Sequence, residues 1–343
     1  MSEAPQDYRE SELGRRRSWY GLKRHVKRVL SWRIPHAALR GLVRLRPSLA
    51  RSGRLPAPAS VHEVEGVVRG TPFVMLRPDR CIVAKELYWG HGKRPRPEDA
   101  FALELFAELA SRSDVALDIG AYTGIFSIAA AAVNPFADVH AFEIVPDVYR
   151  LFLENCVRND LLDRVTLHLQ GVGEQGARML VPAHSSGSAL PDFYSDRLRF
   201  DTGVHVGFVS LDSLLPVITP EARVLAKIDV EGSENEVLRG GEAFLHGFAP
   251  DVLCEVLAGV ADGGELEALL APHGYRYYLV RETDVLAMDR LRPSQRFRDW
   301  LFTKRDASEL RALGIPVTRG EPSPDAEALA RHTVVTGPRR SKR

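Results

Sequence analysis

Cysteine is scarce in this chain: Cys81, Cys156 and Cys254 are the three in 343 residues, they lie far apart, and none belongs to a C-x-x-C pair. That spacing supports neither a zinc site nor a disulfide framework, and it fits a reducing cytosol. Long apolar runs are also missing. The longest, "IFSIAAAAV", falls far short of the roughly 20 residues a helix needs to cross a bilayer. The opening "MSEAPQDYRESEL" is polar and acidic, so no secretory signal is expected there, and internal repeats are absent. The expectation is a soluble, cytoplasmic protein.

Net charge is nearly absent as well, at +1, but the balance hides a segregation. Residues 1–60 hold about fourteen Lys/Arg against about four Asp/Glu, and the tail from Arg331 holds about five basic residues and no acid. The block between carries about 27 basic and about 41 acidic residues. An acidic body with basic ends is not the profile of a domain that grips nucleic acid with its main face.

The chain divides by pattern. Residues 1–59 form a basic extension, with a helix expected from Trp19, whose apolar positions Trp19, Leu22, Val26, Val29 and Leu30 are interleaved with Lys23, Arg24, Lys27 and Arg28. Such a helix suits peripheral contact with an inner membrane surface through residues 18–46, or packing on its own domain. Residues 60–113 read as a small β unit, "VEGVVRG" and "TPFVMLRPDRCIVAKELYW", and a lead-in helix, "PEDAFALELFAELASR". Tyr88 and Trp89 there suit an apolar wall against a sugar ring, or plain core. Over residues 114–321 strands and helices alternate: "VALDIG", "DVHAFEIV", "RVTLHLQ", "RVLAKIDV" and "DVLCEVL", then "YRYYLV" and "DVLAMD" as an antiparallel end, and "QRFRDWLFTKRDASELRALG" as a last helical region. Alternation of this kind means an α/β fold, a mostly parallel sheet with helices on both faces. Residues 322–343 form a loose basic tail.

Chemistry concentrates after the first strand. "LDIGAYTG" has the pattern D-x-G-x-x-x-G, with Asp118, Gly120 and Gly124. Ala121 and Tyr122 stand where a dinucleotide turn would place the glycine beneath its pyrophosphate. An acidic residue ahead of the first glycine suits a cationic amine instead, which points to S-adenosyl-L-methionine. Asp118 is expected to face its ammonium, and the helix N-terminus near Gly124 its carboxylate. Glu143, at the tip of the second strand, suits the ribose hydroxyls of an adenosine.

Together "LDIGAYTGIFS", "AFEIVPD", "LENCVRN", "VSLDSLLP" and "KIDVEGSENEVLRGG" resemble the FkbM-type methyltransferases over roughly residues 98–256. The resemblance implies a Rossmann-like seven-stranded methyltransferase sheet and O-methylation of hydroxyls on sugars, glycans, glycolipids or secondary metabolites. Tyr122 replaces the family's usual Asn and Ile144 its usual Pro. Asn155 and Asn159 match its paired asparagines and read first as helix-end hydrogen bonders.

In "VLAKIDVEGSE" strand alternation puts Lys227, Asp229 and Glu231 on one side and Ala226, Ile228 and Val230 on the other. By strand count and by the resemblance, this fourth strand ends beside the donor's methyl group. Asp229 is the first candidate for the base, Glu231 for a second hydroxyl contact, and Lys227 for keeping both carboxylates ionised. A purely structural Lys227–Asp229 salt bridge remains open, and a metal site lacks a third ligand. His184, in the polar loop "PAHSSGSALPDFY", is a second base candidate; His205 and Asp212 are weaker, the latter an equally good cap for "SLLPVI". The alternatives are an N-methyltransferase and a non-catalytic scaffold working through its basic helix.

Overall fold

The computed structural model describes residue 29 and residues 33–46, 48–51, 55–182, 203–260 and 262–319. These form two compact units. The smaller takes the described residues up to Gly66 together with Met75–Pro95. Along the chain come α1 (Arg33–Leu45), α2 (Ser48–Arg51), the two-stranded sheet of β1 (Glu63–Val68) and β2 (Thr71–Leu76), and α3 (Ile82–Trp89). The β run expected through "CIVAKELYW" therefore ends at Leu76. Cys81 caps α3 by accepting the Ala84 N–H, and the buried Val83, Ala84 and Leu87 follow helical rather than alternate spacing. Trp89 is buried with Val43 and Ala50, so these aromatics belong to a small core.

The larger unit, Val67–Val74 and Arg96 onward, begins with α4 (Pro97–Ala110) and β3 (Val115–Ile119). Then follow α5 (Ile125–Val133), β4 (Asp138–Phe142), α6 (Pro146–Arg158) and β5 (Val165–His168). A small sheet of β6 (Gly171–Val172), β7 (Arg178–Val181) and β8 (Val204–Val209) comes next, in the order β6-β8-β7. After β9 (Val224–Ile228), the expected single helix "ENEVLRGGEAFL" is two: α7 (Glu234–Arg239) and α8 (Glu242–Phe248), broken at Gly240 and Gly241. Paired glycines cost a helix interior about 1 kcal/mol each, so the break falls there. The chain ends with β10 (Asp251–Glu255), α9 (Gly263–Leu270), β11 (Arg276–Val280), β12 (Val285–Met288), β13 (Asp299–Thr303), α10 (Ala307–Ala312) and β14 (Val317–Arg319).

The main sheet runs β14-β12-β11-β13-β10-β9-β3-β4-β5, nine strands where seven were expected. From β10 to β5 all pairs are parallel; β13 lies antiparallel between β10 and β11. The stretch around "DWLFT" is thus a strand, and only Ala307–Ala312 is helical in the region expected to be a helix. Trp300, Leu301, Phe302 and Thr303 are all fully buried, so the run shows no alternation, and a short continuous apolar run cannot be told from helix by period. Ala226 and Ile228 join Leu117, Ile119, Trp300 and Phe302 in the principal core, with Val230 packed against it. That is the inward half of the alternation expected for the fourth strand.

Because β13 is a core strand, Phe302→Ala is expected to lower the unfolding free energy by about 3–5 kcal/mol in urea titration. A loss below about 1 kcal/mol would show that β13 carries little of the core.

Candidate active site

From β3 the chain steps to β4 on one side and returns as β9 on the other, so strand order reverses at β3. In such sheets the ligand crevice opens beyond the carboxyl ends at that point. The candidate residues gather there. In register, Asp118 of β3 pairs with Lys227 of β9. The Asp229 N–H then donates to the Ile119 carbonyl at 2.9 Å, extending the ladder past β9.

Two glycines shape the first turn for different reasons. Gly120 has φ +80°, and a Cβ on it would lie 1.9 Å from the Asp229 carbonyl oxygen. Gly124, at φ +86°, would drive a Cβ into the Phe152 ring at 2.0 Å. Between them Tyr122 takes φ +50°, an uncommon conformation for a bulky residue. The glycines therefore admit the chain's own groups, and the second strand turn is built the same way: Glu231 at φ +55° and Gly232 at φ +106° re-aim the backbone after Asp229.

Asp118 is 2% exposed. Its Oδ2 accepts the Ser127 Oγ–H at 2.6 Å and the Ser127 N–H at 3.0 Å, pinning the first turn of α5. Burial pushes its pKa up to about 6 despite those bonds and the nearby Lys227. The helix start is likewise partly engaged within the chain, since the Gly124 N–H donates to the Ala121 carbonyl. Glu143 is 6% exposed, and its Oε1 accepts the Val145 N–H at 2.7 Å. Burial lifts it to about 7, against backbone N–H groups of Val145, Ile144 and Tyr122 that favour the anion. Glu143 thereby links the β4 tip to the Gly120–Gly124 turn.

Lys227 is 1% exposed. Its ammonium donates to Asp229 Oδ2 at 3.2 Å, pairs with Asp299 Oδ1 at 3.4 Å, and lies 5.3 Å from the centre of the Phe126 ring. Burial works to lower its pKa, but Asp229, Asp299 and Glu255 overcome that and hold it above the ordinary lysine value. Asp229 keeps 32% of its side chain exposed, whereas Asp299 is more enclosed. Glu255 pairs with Arg298 at 3.1 Å, and burial together with Asp229 pushes it up to about 9.

Sequence reasoning missed Asp299, Glu255, Arg298 and Ser127. Glu255 was legible, being the last residue of a strand adjoining β9; Asp299 was hidden by the helical reading of its segment. His184 lies outside the described residues, as do residues 18–28 and 30–32 of the expected basic helix. His205 sits exposed on β8. Asp212 caps at a distance: its carboxylate accepts the Phe244 N–H at 2.8 Å, while Ser210 caps the 3₁₀ turn at Leu211–Val217. Asn155 and Asn159 hold backbone, Asn155 donating to the Thr123 carbonyl and Asn159 bonding both the N–H and the carbonyl of Val74.

A cavity of ≈ 280 Å³ lies at the opposite, amino end of the sheet, beside Arg223, Val224, Phe248 and Asp251. Its guanidinium groups are already paired, Arg112 with Glu108, Arg223 with Asp114 and Arg305 with Asp251.

A sheet of this order, an acid-flanked glycine turn at its switch point and a carboxylate at the next strand tip fit a Rossmann-like fold of the S-adenosylmethionine-dependent methyltransferase kind. Over residues 118–277, a little under half of its length, the chain matches the methyltransferase FkbM domain. It is 28% identical over 261 residues to the 31-O-demethyl-FK506 methyltransferase FkbM of Streptomyces tacrolimicus, covering 68% of this chain and 91% of that protein. Among solved structures, methyltransferase FkbM of Methylobacillus flagellatus aligns at 19% identity and TM-score 0.37, over 56% of this chain and 43% of its own. A SAM-dependent methyltransferase of Agrobacterium tumefaciens aligns at 12% identity and TM-score 0.39, over 71% of each chain.

The residues present fit such a donor. The turn carries no basic group, and two buried carboxylates flank it. A cationic ligand bearing hydroxyls offsets their desolvation, where a pyrophosphate would add to the repulsion.

The raised pKa of Glu143 sets a pH dependence. A carboxyl whose folded-state pKa exceeds its unfolded value of 4.5 binds its proton more tightly when folded, so stability falls as pH rises from 4.5 to about 7 and levels above. In donor-free protein this amounts to about 3 kcal/mol. Chemical denaturation across that range should show a shallower fall in Glu143→Gln; identical slopes would mean Glu143 is not desolvated.

Proposed function

We propose that the enzyme O-methylates a hydroxyl of a sugar, glycan, glycolipid or secondary metabolite, with Asp229 as the base. One observation carries the reading: a part-exposed carboxylate at the switch point, held by a lysine that is itself 1% exposed. A merely structural pair would enclose both partners, whereas here only the cation is enclosed. The name of the Streptomyces tacrolimicus relative supports oxygen as the acceptor atom.

S-adenosylmethionine supplies an electrophilic methyl carbon on a sulfonium. Asp118 and Glu143 would hold its cationic and hydroxyl-bearing ends through the Gly120–Gly124 turn. The acceptor hydroxyl would donate its hydrogen bond to Asp229 and pass its proton to that carboxylate as its oxygen takes the methyl carbon, the carbon–sulfur bond breaking to leave the neutral thioether. An aliphatic hydroxyl is too weak an acid to react well otherwise, and such general-base help is worth about 10²–10⁴ in rate. Lys227 fixes the carboxylate's orientation through its hydrogen bond to Oδ2. Glu231, on its positive-φ turn, would take a second acceptor hydroxyl, and His184 is the alternative base.

Labelled donor incubated with a panel of sugars, glycolipids and polyketides should give a one-methyl mass gain on at least one acceptor. Asp229→Asn should then lose at least about 100-fold in turnover while calorimetry shows donor affinity within about threefold of the parent. Full turnover in that variant would remove Asp229 from the chemistry.

A further inference from the structure

Helix α1 has two apolar faces. Leu39 and Val43 pack onto Trp89 and Ala50, and His36, one turn earlier on that face, bonds the Tyr88 hydroxyl at 2.5 Å. A second stripe, Ala38, Gly41, Leu42 and Leu45, recurs at i, i+3, i+4 and i+7, so it forms one line along the helix. This line faces solvent: Leu42 is 46% exposed and Leu45 82%. Arg40 and Arg44, also exposed, run beside it one turn apart, and exposed Arg46 follows the helix end. No acidic residue lies anywhere in α1.

We infer that this face docks the protein onto an anionic lipid bilayer. An exposed leucine line flanked by arginines matches a surface that offers phosphates over hydrocarbon: leucines enter the acyl boundary while guanidinium groups remain with the headgroups. The charge on α1 is one-signed, and its arginines are among about fourteen basic residues against about four acidic in residues 1–60, a polybasic segment of the kind anionic leaflets attract. RNA would satisfy the arginines but has no apolar surface to receive Leu45. A second copy, meeting this face across a two-fold axis, would set Arg40 and Arg44 against their own counterparts.

The test is flotation of the full-length protein with phosphatidylcholine vesicles with or without about 30% phosphatidylglycerol. The protein should rise with the anionic vesicles, stay behind with the neutral ones, and be largely released by high salt. Leu42→Glu with Leu45→Glu should lower the bound fraction at least about tenfold with unchanged circular dichroism, and Arg44→Gln with Arg46→Gln should lower it several-fold. Both pairs are exposed and belong to the smaller unit, whereas Asp118, Glu143 and Asp229 belong to the larger, so donor binding should persist in each. Failure to float, or flotation of the Glu pair like the parent, overturns the inference. So does a Glu pair that turns a dimer into a monomer by light scattering without altering vesicle binding, which would give the face to a second copy.

Discussion

The site depends on one buried cation. An unpaired ammonium at the position of Lys227 would cost several kcal/mol or lose its proton. It stays charged because two carboxylates approach it from different strands, Asp229 beyond β9 and Asp299 on β13. The antiparallel strand inserted between β10 and β11 is therefore more than an edge of the sheet; it delivers the second carboxylate. With Asp299 neutralising the lysine from the enclosed side, Asp229 can remain turned to the crevice. The backbone tightens the same arrangement, since the Asp229 carbonyl lies where only a glycine at position 120 leaves room.

The two acids beside the Gly120–Gly124 turn are arranged on the opposite principle. Asp118 and Glu143 are buried without a cation of their own at bonding distance, so their pKa values rise to about 6 and about 7. Backbone and hydroxyl donors offset only part of the desolvation. Carboxylates held this way weaken the empty protein, yet they are poised to gain from a positively charged ligand with hydroxyl groups. The Ser127 bonds add a second consequence: Asp118 fixes where α5 begins, so the floor of the crevice and its charge are set by one residue.

Much of this was legible in the sequence, and for identifiable reasons. Alternation in "VLAKIDV" separates charged from apolar positions without any tertiary information, and the structure puts Lys227 and Asp229 together while Ala226 and Ile228 enter the core. The glycine spacing after β3 marked the turn, although the close approaches it permits are to Asp229 and Phe152. What stayed hidden was long-range or aperiodic. β13 is buried on both faces and shows no period; Ser127 reaches Asp118 only once strand and helix are packed. The two faces of α1 are not separable in sequence, because both stripes have helical spacing and only the exposure of Leu42 and Leu45 tells them apart.

Charge balance ties the lysine cluster to the proposed chemistry. Lys227 and Arg298 stand against Asp229, Asp299 and Glu255, and burial with the neighbouring acids pushes the Glu255 pKa up. On the proposed reading, Asp229 loses its negative charge by taking the hydroxyl proton in the same event that ends the donor's positive charge. An exchange that cancels opposite charges gains from a low-dielectric setting, where their separation from water is otherwise costly. On the same reading the proton then leaves Asp229 for solvent through its exposed edge. A fully enclosed carboxylate would lack that exit, and a fully exposed one would lack the lysine that fixes its aim. The part-exposed position of Asp229 meets both requirements.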